Sequence, residues 1–116
     1  MSEIQSRFLY NIGDIIVEEG RPGSHICIIE KGKVEVWKND SMGKKIVLGS
    51  LSAGQIFGEM SIIDKSARAA TVTATELTTI INIDGDKLLE ALRESPPIIT
   101  TLLKTLITNL KKAQSK

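Results

Sequence analysis

The chain has 116 residues, of which 41% are hydrophobic and only 3% aromatic, and its formal net charge is +1. That length corresponds to one domain, large enough to bury a core without disulfide staples, and the core has to rest on Ile, Leu, Val and Ala. A near-neutral balance excludes a broad nucleic-acid face, which needs clustered excess Lys and Arg.

In chain order, Met1 to Phe8 is polar and lacks the apolar heart of a secretory signal. No apolar run approaches the roughly 20 residues that span a bilayer. Cys27 is the single cysteine, so no intrachain disulfide can form and a reducing, cytoplasmic setting is expected. His25 is the single histidine. It lies two residues from Cys27 on a predicted strand, so the two share a face. Two ligands do not close a zinc site, and parallel neighbours roughly 7 Å apart along a strand do not make a hydrogen-bonded nucleophilic pair. No metal and no catalytic residue is expected.

Short β segments fill the next stretch. Asp14 to Glu18 reads as a strand and Glu19 to Gly23 as a turn. Ser24 to Glu30 is a strand centred on Ile26, Cys27, Ile28 and Ile29, and Lys31-Gly32 turns the chain. Lys33 to Lys38 alternates, with Val34 and Val36 on one face and Glu35 and Trp37 on the other. Asn39 to Gly43 is a polar hairpin loop, and Lys45 to Leu51 is a strand carrying Ile46, Val47 and Leu48. Thr71 to Thr75 places Val72 and Ala74 inward and three threonines outward. Leu77 to Ile83 closes the series. Strands this short and closely spaced predict an all-β sandwich or barrel such as a jelly roll.

The period then changes. Asp84 is a candidate cap for a helix through Arg93, with Leu88, Leu89 and Leu92 as its apolar stripe. Ser95-Pro96 reads as a cap followed by proline at the first helical position, and Pro97 to about Lys112 is helical. Lys111 and Lys112 suit the negative end of that helix dipole. The apolar stripe is wider than one core contact requires. Ile99, Leu103, Leu106 and Leu110 at 4-3-4 spacing are a candidate homodimer seam.

Gly54 to Thr71 fits neither pattern. It is too long for a tight turn, and Met60 to Asp64 has room for one helical turn. Gly58 can adopt backbone angles closed to other residues, and free amides at the start of such a turn attract anions. Arg68 adds a permanent planar cation, and Glu59 adds two acceptor oxygens. Amides and a guanidinium suit a phosphate, and a carboxylate suits a sugar hydroxyl. The same three residues would equally serve a turn and a surface salt bridge, and spacing alone does not choose.

Phe57-Gly58-Glu59, the run Met60 to Ile63, and Arg68-Ala69-Ala70-Thr71-Val72 resemble the phosphate-binding cassette of the cyclic nucleotide-binding domain family. Gly13-Asp14-Ile15-Ile16, Glu19-Gly20, Ile28 to Val34 and Leu51 to Phe57 resemble other parts of that family, in the same order, so the likeness spans about residues 10 to 110. It implies a mainly β fold: a double-stranded β-helix, or jelly-roll, barrel with a short cassette helix and two C-terminal α-helices. One domain, 1–116, is expected, with the barrel over about 10–83, the cassette over 57–71 and the helices over 84–113.

The resemblance also implies the ligand and its contacts. Arg68 would pair with the cyclic phosphate, and Glu59 with the ribose 2′-hydroxyl. The amides of Ser61 and Ala69 would reach the phosphate, and Gly58 would let the backbone approach the sugar. Phe57, Met60 and Ala70 complete the cassette contacts, and Val47, Ile56 and Val72 are candidate lining. Ala69 lacks the hydroxyl that often accompanies cGMP preference in the family, so cAMP is the expected ligand. The alternatives are cGMP, a cyclic dinucleotide, a ligand-free scaffold or a dimerisation module. Ala67 and Ser61 depart from the family's usual proline and alanine, and the family's N-terminal helices are nearly absent. A regulatory role is expected, with the ligand repositioning the last helix and a downstream effector receiving the signal.

Overall fold

The computed structural model describes residues 4–63 and 68–114. Among these residues eight strands run in order: β1 (Gln5–Tyr10), β2 (Ile15–Val17), β3 (His25–Lys31), β4 (Lys33–Asn39), β5 (Lys45–Ser52), β6 (Ile56–Phe57), β7 (Thr71–Ala74) and β8 (Thr78–Asp84). They pair antiparallel in two four-stranded sheets, ordered β1-β8-β3-β6 and β2-β7-β4-β5. A 3-10 turn, Glu59–Ile62, follows β6, and helices α1 (Gly85–Arg93) and α2 (Pro97–Gln114) close the chain. This is the jelly-roll architecture that the short alternating segments predict.

The alternation of apolar residues decides what each sheet covers. Cys27, Ile29, Phe57 and Ile80 from the first sheet meet Val34 and Val72 from the second in a core between the sheets. Ile26 points the other way and packs with Ile62 and Ile107, supported by Leu88, Leu89 and Leu103. β3 is therefore buried on both faces, which is why Ile26-Cys27 reads as a continuous apolar run. His25 stands opposite Asp84 at the start of the β3–β8 ladder. The Asp84 carboxylate accepts hydrogen bonds from the backbone N–H of Asp86 (3.0 Å) and Lys87 (3.2 Å), capping α1.

Several expectations shift. β1 falls in the polar N-terminal stretch that carries no strand signal. It pairs with β8 alone, and its side chains are almost all exposed, so no period of two marks it. Thr71 turns inward rather than outward. It is buried, and its hydroxyl accepts from the Glu19 N–H at 2.9 Å. The second helix starts at Pro97, as its pattern predicts, but Ser95 does not cap it. Pro97 disfavours the helical conformation at Pro96, and the Ser95 hydroxyl instead donates back to the Ala91 carbonyl.

The expected seam on α2 is also divided. Leu103 and Ile107 face the core cluster, and Leu110 is half-buried. The exposed apolar side runs through Ile98, Ile99, Leu102 and Leu106. At 100° per residue, positions 102, 106, 99, 110, 103 and 107 follow one another around a single arc, with its 103–107 edge against the core and its 102–106 edge exposed. Among the described residues no helix is long and apolar enough to cross a membrane. No group of three or more His, Cys, Asp or Glu among them is placed to hold a metal ion.

Candidate ligand-binding site

A cavity of about 670 Å³ opens beside the segment from Ile56 to Val72. Its frame begins at β6, where pairing of Phe57 with Cys27 and of Ile56 with Ile28 fixes the strand against β3. Gly58 then turns the chain with φ 78°, a left-handed conformation that favours glycine. A β-carbon there would also fall 2.6 Å from Nη1 of Arg68 and 2.7 Å from the His25 carbonyl oxygen. Both backbone and space therefore call for glycine. The 3-10 turn follows, anchored by Ile62 in the cluster with Ile26 and Ile107.

That anchoring sets Glu59 inward. Glu59 lines the cavity with only 6% of its surface exposed. Among the described residues no hydrogen bond or ion pair reaches its carboxylate; the ion pairs there are Arg7–Glu30, Arg21–Glu18 and Lys45–Glu35. An enclosed carboxylate without a partner is costly, so this position has capacity for a donor.

Arg68 brings a positive charge to the same cavity. Its N–H donates to the Arg21 carbonyl and its own carbonyl accepts from the Gly20 N–H, both at 2.9 Å, which pins it to the turn between β2 and β3. Its Nη2 donates to the His25 carbonyl at 2.7 Å. A guanidinium carries five N–H donors, and a carbonyl leaves its charge uncompensated. Among the described residues no carboxylate pairs with it. The neighbouring Cys27 thiol is buried, and its Sγ donates to Asn82 Oδ1 at 3.1 Å. Burial pushes its pKa up to about 12, against the pull of the Arg68 charge, so this thiol is an inert core group.

Nine of the residues expected from the sequence come together on the cavity wall: Ile56, Phe57, Gly58, Glu59, Met60, Arg68, Ala69, Ala70 and Val72. Ser61 lies in the 3-10 turn, and Ala67 falls outside the described residues, as does Asp64 at the end of the expected turn. Val47 is a correction. It is 54% exposed and does not line the cavity. The register of β4 against β5 slips between Val36 and Trp37, so that Val36 faces Gly49 and Trp37 faces Val47. Leu48 is the extra residue of this bulge. The slip turns Val47 to the outer face with Trp37 and puts Leu48 on the wall instead.

The remaining wall was missed. Val17, Val36 and Leu51 sit on the inward side of their strands, a placement the alternation already suggests. Gly23 and Lys111 had no such signal. Lys111 reaches the wall because α2, at 18 residues, is about 27 Å long and carries its last turns back to the cavity.

The family model described as "Cyclic nucleotide-binding domain" matches residues 7–95. The chain is 30% identical over 107 residues to the "Cyclic AMP receptor protein" of Thermus thermophilus, covering 92% of this chain and 50% of that protein. It is 34% identical over 88 residues to the "cGMP-dependent protein kinase" of Eimeria tenella, covering 75% of this chain and 8% of that protein. The crystal structure of the Thermus thermophilus catabolite activator protein superposes with a TM-score of 0.77 at 29% identity, over 95% of this chain and 52% of that one. The chain thus spans about half the length, or less, of these relatives. The matched segment runs from β1 past the end of α1 and contains the whole cavity frame apart from Lys111, and the chain belongs to the cyclic nucleotide-binding domain family.

Proposed function

We propose that this domain is a non-catalytic sensor of cAMP. The observation that carries the reading is the pair Glu59 and Arg68, which share one cavity while neither has an opposite charge beside it among the described residues. A cyclic nucleotide supplies both missing partners. Its single negative phosphate meets the guanidinium, with the amides of Ser61 and Ala69 as further donors. Its 2′-hydroxyl donates to the buried carboxylate. Phe57, Gly58, Met60 and Ala70 then form the close wall, with Ile56 and Val72 beside them.

Adenine is favoured because Ala69 and Ala70 present methyls beside Arg68, with no hydroxyl to accept the 2-amino group of guanine. The relative from Thermus thermophilus carries cyclic AMP in its name. One observation favours cGMP instead. Lys111 lines the cavity, and an ammonium donates but never accepts, which suits the O6 carbonyl of guanine better than the amino group of adenine.

Helix α2 is suited to report occupancy. Ile107 packs on Ile62, the end of the 3-10 turn, while Lys111 one turn later lines the cavity. A ligand that moves the turn moves both contacts. The exposed side of α2, through Ile99, Leu102 and Leu106, is available to a second copy or an effector. The test is calorimetric titration of the purified chain with cAMP, cGMP and a cyclic dinucleotide. Micromolar or tighter cAMP binding with weaker cGMP binding supports the reading. Tighter cGMP binding selects the second reading, and silence toward all three leaves a ligand-free scaffold.

A further inference from the structure

We propose that Gly23 is a positioning residue that holds the Arg68 guanidinium at the anion site, an inference that rests on the phosphate reading of Arg68. Two glycines flank the guanidinium, and they do so for different reasons. Gly58 is fixed by its positive φ and by the His25 carbonyl oxygen, which a β-carbon would meet at 2.7 Å. Gly23 has no positive φ, so its φ does not call for glycine. Its nearest neighbours are instead three atoms of one side chain. A β-carbon at 23 would fall against Nε of Arg68, 2.7 Å from Nη2 and 2.8 Å from Cζ.

The chemistry of what has to yield decides the outcome. At position 58 the obstacle includes backbone, so a side chain there strains the fold. At position 23 the three nearest obstacles all belong to the far end of one flexible side chain, so an added methyl is accommodated by swinging Arg68 away. That swing breaks the 2.7 Å hydrogen bond from Nη2 to the His25 carbonyl, which is what aims the remaining donors into the cavity. The missing β-carbon at 23 thus selects the Arg68 rotamer, and the fold itself has little need of it.

The experiment is a double-mutant cycle read by calorimetry with cAMP, using Gly23→Ala, Arg68→Ala and the double variant, with a thermal melt of each unliganded protein. Gly23→Ala is expected to weaken binding by about 10- to 100-fold, the scale of one hydrogen bond to a charged group, while melting close to the parent. The double variant is expected to bind no more weakly than Arg68→Ala alone, because the two substitutions remove the same interaction. Unchanged affinity in Gly23→Ala overturns the inference, as do losses that simply add. A melting point lowered as far as in Gly58→Ala also overturns it, because the residue is then structural. Unchanged affinity in Arg68→Ala is a different failure, since it removes the phosphate reading itself.

Discussion

Glu59 and Arg68 line the same cavity yet form no ion pair with each other. Opposite charges in one cavity would gain from meeting, and each is instead held by its own frame: one is set by Ile62 in the helix-facing cluster, the other by Arg21 and His25 across the turn. Their separation makes the two ends of a ligand testable one at a time.

Arg68→Lys keeps the charge and loses the planar fork. We expect cAMP affinity to fall by roughly 2–4 kcal/mol, on the scale of hydrogen bonds to charged groups, with the melting point of the unliganded protein nearly unchanged. Calorimetry together with a thermal melt measures both, and full affinity in this variant removes the phosphate role.

Glu59→Ala removes the acceptor assigned to the ribose. The parent is expected to prefer cAMP over 2′-deoxy-cAMP by about 1.5–3 kcal/mol, and the variant is expected to bind the two equally. Competition binding reads the ratio directly. A preference retained in the variant assigns the hydroxyl elsewhere.

Gly58→Ala is expected to destabilise the unliganded fold. The left-handed backbone costs a non-glycine residue roughly 1–2 kcal/mol, and the contact with the His25 carbonyl adds to it. A drop of several degrees in the melting point is the expected result.

How far these positions could be read in advance depended on the kind of signal each one carries. Val34, Val72 and Ala74 announce themselves by alternation and are buried as expected. The cassette was legible through its resemblance to a known family, because Gly58, Glu59 and Arg68 by themselves also suit a turn and a surface salt bridge. β1 was not, because a strand exposed on both faces has no period to detect, and its cause is pairing with β8. Val47 was misplaced because one extra residue in a ladder reverses every side chain beyond it. Gly23 was invisible because its reason lies in a side chain 45 positions away.

The buried Cys27 thiol makes stability depend on alkaline pH. Its proton leaves near 9.0 in the unfolded chain and only near 12 in the folded one. Folding therefore favours the protonated form. That contribution is intact below about pH 9 and is lost as pH rises from 9 toward 12, by up to about 1.4 kcal/mol per pH unit. Denaturant melts at pH 8, 9.5 and 10.5 should show the decline, and Cys27→Ala should flatten it. The native thiol should also resist alkylation at pH 8.

Sedimentation tests the exposed side of α2. If Ile99, Leu102 and Leu106 meet a second copy, Leu106→Lys shifts a concentration-dependent mass to that of the monomer. A parent mass of one chain at all concentrations rules out that pairing and leaves α2 as a lid or core helix.

The residue whose carbonyl steadies the guanidinium is also the one across the ladder from the aspartate that begins α1. A single rung of the first sheet thus touches the Arg68 guanidinium at one end and the root of the helical layer at the other. If an anion does pull on Arg68, the displacement is expected to reach that rung first, and then α1, whose Leu88 and Leu89 also rest on the cluster of Ile26, Ile62 and Ile107.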